Sequence, residues 1–131
     1  MFYVQYALAR TYSVVRQYVE VFGDYQLKDA DYQYIKSDEE FALLKTLMEW
    51  PLQVELAAKH KEPHRITFYL SSVAAAFHAL WNAGKADYQL RFIDKDDMSA
   101  SLCRLALVIA TQTILESGLN IIGVTPLKEL R

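Results

Sequence analysis

Cysteine, proline and glycine are scarce in this 131-residue chain, at one, three and four residues. A single cysteine, Cys103, excludes an intrachain disulfide. Its place in Leu102-Cys-Arg-Leu-Ala-Leu107 suits a small core residue, and its solitary use fits a reducing compartment such as the cytoplasm. So few turn formers exclude an all-β domain, which needs a turn about every ten residues. No unbroken apolar run reaches the ~18–20 residues of a membrane span, and no signal-peptide pattern opens the chain. The sequence therefore predicts no membrane partner. Chemical signatures are missing too. There is no glycine-rich phosphate loop, no Gly-x-Ser-x-Gly and no Cys-x-x-Cys. Asp96-Asp97 and Glu39-Glu40 are adjacent pairs whose side chains diverge. His60 and His64 have metal-like spacing, but Pro63 lies between them, so they flank a helix break and do not share a face. No catalytic residue and no metal ligand are expected, which points to a binding or appended domain.

What is present is ordinary in bulk: 53% hydrophobic and 23% charged residues, with a net charge of −2. That suits one domain over residues 1–131, large enough for a single core. The charge is unevenly spread. Residues 20–40 hold seven acids and two bases, while the rest hold nine acids and twelve bases. One acidic connection thus masks a mildly basic body, compatible with a phosphate-facing surface.

The periodicity predicts an all-α bundle of about five main helices. The first covers about Phe2 to Phe22 and stops at Gly23. Residues 23–36 are acidic, tyrosine-containing and aperiodic, and read as a loop. Ser37-Asp-Glu-Glu40 is a capping-box pattern that opens the second helix. Trp50-Pro51 interrupts it, and Pro51 suits the first turn of a third. Pro63 starts a fourth, to about Asn82, with Ala83-Gly84 as its stop. Residues 85–97 form a charged connection. The fifth helix, about Met98 to Ser117, is apolar nearly all round, as expected of a central helix, and Gly118 is its expected stop.

The stretch Phe2 to Gln17 carries three tyrosines, two arginines and no acid, and it begins without a capping residue. An abrupt helical start of this kind leads us to expect a piece of a longer chain. Tyr3 and Tyr6 share one face of this helix, and Phe77 and Trp81 are four apart on the fourth. Aromatics at helical spacing belong more often to a core. They also serve as platforms on which splayed bases stack. Trp81, next to a small-residue turn, is the better placed for solvent.

Four segments in register carry a resemblance: Tyr3-Val-Gln-Tyr-Ala7 with Arg10, Phe77-His-Ala-Leu-Trp-Asn82, Arg104-Leu-Ala-Leu107 and Gly118-Leu-Asn-Ile-Ile-Gly-Val124. Together they resemble the C-terminal anticodon-binding (DALR) domain of arginyl-tRNA synthetases over essentially the whole chain. Two departures stand out. Leu8 replaces the histidine that often follows Tyr-Ala in the family. The chain ends Pro126-Leu-Lys-Glu-Leu130-Arg131, with Leu130 where the family commonly has methionine.

The resemblance implies a class I synthetase anticodon-binding fold that grips the anticodon stem-loop of an arginine tRNA, with attention to its central cytosine. The implied reading edge comprises Tyr3, Tyr6, Phe77, Trp81 and Leu130, with Arg10, Lys85 and Arg91 at phosphates. Arg10 and Arg104 have a competing role, each pairing with an acid inside the bundle, and for Arg104 that role is preferred. The parent would be an ATP- and Mg-dependent arginine–tRNA ligase whose catalytic domain, a partner in cis, lies outside this chain. No cofactor is expected here. The alternative is a helical protein-interaction module using the same aromatic edge, since tyrosine and tryptophan also dominate protein hot spots.

Overall fold

The computed structural model describes residues 2–129. Five α-helices account for most of them: α1 (Phe2–Phe22), α2 (Asp38–Met48), α3 (Trp50–Lys59), α4 (His64–Ala86) and α5 (Met98–Ile121). No strand occurs among the described residues. The connections are not bare loops. Three short 3-10 turns, Leu27–Asp29, Tyr32–Tyr34 and Tyr88–Leu90, punctuate them, and Ile35, Phe92 and Ile93 pin them to the core.

α4 packs against all four other helices, and α5 packs against α1, α2 and α4. By length and composition α5 is apolar enough to cross a bilayer, with a mean hydropathy of 1.5 over its best window. This corrects the expectation drawn from unbroken runs. Arg104, Gln112 and Glu116 interrupt the run without lowering the average much. The apolar surface is used internally, since 56% of that window is buried by the other helices.

The helix starts follow local chemistry. Ser37 Oγ accepts from the Glu40 amide at 3.1 Å, and Glu40 Oε1 accepts from the Ser37 amide at 3.2 Å. Both arms of the capping box are present, so two orphan amides of α2 are satisfied. Pro51 sits in the first turn of α3, where its missing N–H costs nothing. Asp97 caps α5 by accepting from the Ala100 amide at 3.0 Å.

The helix ends divide the four glycines into two kinds. Gly23 and Gly123 take φ of +81° and +78° and terminate α1 and α5. At Gly23 this matches the expected stop. Gly84 and Gly118 lie inside α4 and α5, contrary to the expectation that they end them. Their use is close approach. A Cβ on Gly118 would fall 2.4 Å from a Leu70 methyl, and one on Gly84 would fall 3.1 Å from the Arg91 Cα and the Leu90 carbonyl oxygen. α4 therefore runs one turn further than expected, and the residue 90–93 segment lies directly on its end.

Beneath that segment is a buried polar junction. Glu40 and Arg104 are only 1% and 6% exposed. Glu40 Oε2 faces Arg104 Nε at 4.0 Å, while the Arg104 guanidinium donates to the backbone carbonyls of Gln89 and Arg91. One arginine thus ties the start of α2, the body of α5 and the connection after α4 together. This is the ion-paired role preferred for Arg104.

Candidate nucleic-acid interface

The N-terminal half of α1 and the middle of α4 converge to form an aromatic edge. Val4, Ala7, Leu8 and Thr11 point into the core, which leaves Tyr3 and Tyr6 on the outer face, 48% and 39% exposed. α4 supplies His78 beneath them. Its ring lies 4.9 Å from that of Tyr3 and 6.0 Å from that of Tyr6. Phe2 extends the edge, with its ring 6.2 Å from that of Tyr6. An open groove of about 400 Å³ runs among Phe2, Tyr3, Tyr6, Arg10, His78 and Asn82.

Arg10 organises this edge. Its guanidinium carbon lies 4.5 Å from the Tyr6 ring centroid and 4.6 Å from that of Trp81. One nitrogen donates to the Tyr6 hydroxyl at 3.2 Å, and another meets His78 Nδ1 at 3.0 Å. Arginine is donor-only, so Nδ1 is the acceptor and the proton of neutral His78 is on Nε2. Burial, and secondarily the Arg10 charge, push the His78 pKa below its usual 6.5, against a weaker opposing interaction with the Tyr3 backbone. His78 is thus a neutral wedge that aims Arg10 between two rings.

Trp81 is half-buried. Arg10 covers its ring and Phe92 packs near it at 6.0 Å. Its indole N–H is buried with no hydrogen-bond partner among the described residues, so the ring carries whatever contact Trp81 makes. Phe77 needs correction as a reading residue. It is 0% exposed and stacks on Phe92 at 5.3 Å, a core side chain with no face for a base. One helical turn separates it from Trp81, but the 90–93 segment closes over that turn.

Lys85 and Arg91 stand apart from Tyr3 and Tyr6. They line a second cleft of about 190 Å³ with Trp81, Phe92 and Gln17. Arg91 lies over the Tyr88 ring at 4.7 Å. Trp81 lines this cleft, and Arg10, which lies over its ring, lines the groove. Leu130 falls outside the described residues.

The approach of the tail is nevertheless visible. Gln5 is buried on α1, and its amide nitrogen donates to the Thr125 carbonyl at 2.8 Å while its oxygen accepts from the Leu127 amide at 2.8 Å. Sequence reasoning overlooked Gln5, Arg16, His78 and Lys128. Gln5 sits inside the Tyr-x-Gln-Tyr segment, and a polar side chain between core-facing residues was the available signal. The His60–Pro63–His64 segment spans the α3–α4 turn. Among the described residues, no group of three or more His, Cys, Asp or Glu side chains is placed to hold a metal ion.

A family model described as the DALR anticodon binding domain matches residues 4–130. The chain is 47% identical to the arginine–tRNA ligase of Rhodospirillum rubrum over all of its own length and 23% of that protein's. It is 46% identical to that of Parvibaculum lavamentivorans, over 100% of this chain and 23% of the relative. It is also 46% identical to that of a Wolbachia pipientis strain from Culex pipiens, over 99% and 22%. The chain thus spans less than a quarter of the length of these curated relatives.

Proposed function

The chain belongs to the DALR anticodon-binding domain family, and from that premise we propose that it grips the anticodon loop of an arginine tRNA on the edge formed by α1 and α4. The observation that carries this reading is the cluster of two outward tyrosines around an arginine held between aromatic rings. Bases splayed from a loop stack on such rings, and a guanidinium supplies charge beside them. Tyr3 and Tyr6 offer the accessible faces. Arg10, Lys85 and Arg91 meet phosphates, and Trp81 lines the cleft that holds Lys85 and Arg91. Leu130 contributes an apolar contact from the end of the tail.

The similarity to arginine–tRNA ligases supports a wider role. We infer a parent that is an arginine–tRNA ligase acting in the cytoplasm. Its catalytic domain, with the ATP and Mg chemistry, is carried by a portion of the protein beyond this chain, and this domain contributes tRNA selection. The test is a titration against the anticodon stem-loop of an arginine tRNA and a version with the central cytosine changed. Binding that prefers cytosine and weakens steeply with salt is the expected result. Salt-insensitive binding to a protein partner, with no RNA affinity, would favour an interaction module instead.

A further inference from the structure

The last described residues build a surface that adjoins the aromatic edge, shares Tyr6 and Arg10 with it, and lies apart from the Lys85–Arg91 cleft. A groove of about 310 Å³ is lined by Tyr6, Arg10, Ser13, Arg16, Lys128 and Glu129. Three cations and one carboxylate meet there. Two of the cations, Arg10 and Arg16, come from one face of α1. Arg16 donates to Ser13 Oγ at 3.1 Å, which holds it on that face. The third cation comes from the tail, 112 residues further along the chain than Arg16, and the Lys128 ammonium lies 5.7 Å from the Tyr12 ring centroid.

The Val124 amide donates to the Leu119 carbonyl at 2.9 Å and turns the chain out of α5, and no helix follows among the described residues. Beyond that turn the Gln5 amide holds the tail. It engages the tail at Thr125 and Leu127, one contact as donor and one as acceptor, so it fixes both position and direction. Lys128 is the next residue after the clamp. A buried amide with both ends used on backbone is specific, since no other side chain of that length both donates and accepts.

We propose that Gln5 is a positioning residue that docks the tail so that Lys128 joins Arg10 and Arg16 in a binding site for the phosphodiester backbone of single-stranded RNA. The site follows α1 away from the bases, while Tyr3 and Tyr6 take the rings. This inference rests on the RNA-binding reading above.

The test uses the 131-residue chain with an anticodon stem-loop at several salt concentrations. The variants are Lys128→Ala, Arg16→Ala, Gln5→Ala and the Gln5→Ala/Lys128→Ala double. Each lost phosphate contact on a single strand lowers the slope of log K against log salt by about 0.7. Lys128→Ala and Arg16→Ala are expected to flatten the slope by about that much each. Gln5→Ala should match Lys128→Ala, and the double should be no worse than either single variant. Amide exchange at Leu127 provides a readout independent of RNA: it should accelerate in Gln5→Ala and stay unchanged in Lys128→Ala. Should the unsubstituted 131-residue chain fail to bind the stem-loop at any salt, the RNA reading itself falls. If the unsubstituted chain binds but the Lys128 and Arg16 variants keep its affinity and slope, the phosphate site is overturned. If Gln5→Ala frees the Leu127 amide yet leaves the slope intact, or if the Gln5 and Lys128 effects add, the positioning role is overturned.

Discussion

Two arginines in this molecule face opposite situations. Arg104 is buried at the junction of α2, α5 and the post-α4 connection, and its donors go to the Gln89 and Arg91 carbonyls beside the Glu40 carboxylate. Arg10 is half-exposed, held over the Tyr6 and Trp81 rings and by His78. A guanidinium directed at carbonyls and a buried carboxylate is committed to the fold. One resting on aromatic faces keeps its charge available to a ligand, because ring contacts contribute only about 0.5–1 kcal/mol at exposed sites. The same residue type is thus structural in one place and a binding group in the other, and burial separates them.

Removing each arginine sharpens the contrast most. Arg104→Met leaves Glu40 buried without its partner, and a loss of about 3–5 kcal/mol in urea unfolding is expected. Arg10→Met should cost less than about 1 kcal/mol of stability while weakening stem-loop binding. The reverse order would break the comparison.

The pair on α4 provides the next test. Phe77→Ala should cost about 3–5 kcal/mol of stability as a core truncation. Trp81→Ala should lower RNA affinity by about 1–3 kcal/mol, roughly five- to 150-fold in Kd, with the helical circular dichroism retained. Equal binding losses per folded molecule in both variants would contradict the division between core and edge.

Gly84→Ala comes third. Its Cβ meets backbone on the other side, so the 90–93 segment must shift, at a cost of about 1–3 kcal/mol. Arg91 moves with it, and the salt dependence of binding should fall. Gly118→Ala meets only the Leu70 side chain, so it should change stability while leaving the salt dependence alone.

The smallest effect concerns pH. His78 is held neutral, with its pKa below 6.5. Above that value both folded and unfolded states are unprotonated and nothing changes. As pH falls through about 6.5 the unfolded chain takes up a proton that folded His78 resists, so stability declines until pH passes the folded pKa. A His78→Gln variant should lose this part of the acid sensitivity, measured by unfolding at pH 7 and pH 5.

The all-α class, the span of α1 and both arms of the capping box were legible in the sequence because each depends on residues within a turn of one another. Ser37 and Glu40 need only their own backbone. Gly84 and Gly118 were misread because a glycine that ends a helix and one that admits a neighbour look alike along the chain. The difference lies in Arg91, brought back onto Gly84 by the fold of the connection after α4, and in Leu70, which lies on another helix from Gly118. Phe77 was misassigned for a similar reason, since Phe92 covers it from a segment that reads as a plain connection. That Tyr3 and Tyr6 share a face was legible from their spacing, but that this face is the outer one was not, because aromatics at helical spacing fit a core equally in pattern and only the packing of Val4, Ala7 and Leu8 decides it. Gln5 was hidden because its partners lie at the far end of the chain.

The central claim is that the α1–α4 edge reads an RNA loop. It is tested most directly by titrating the chain with the arginine-tRNA anticodon stem-loop and its central-cytosine variant at two salt concentrations. The account predicts tighter binding to the cytosine loop and a steep fall of both affinities with salt. Equal affinity for the two loops, or affinity indifferent to salt, would contradict it.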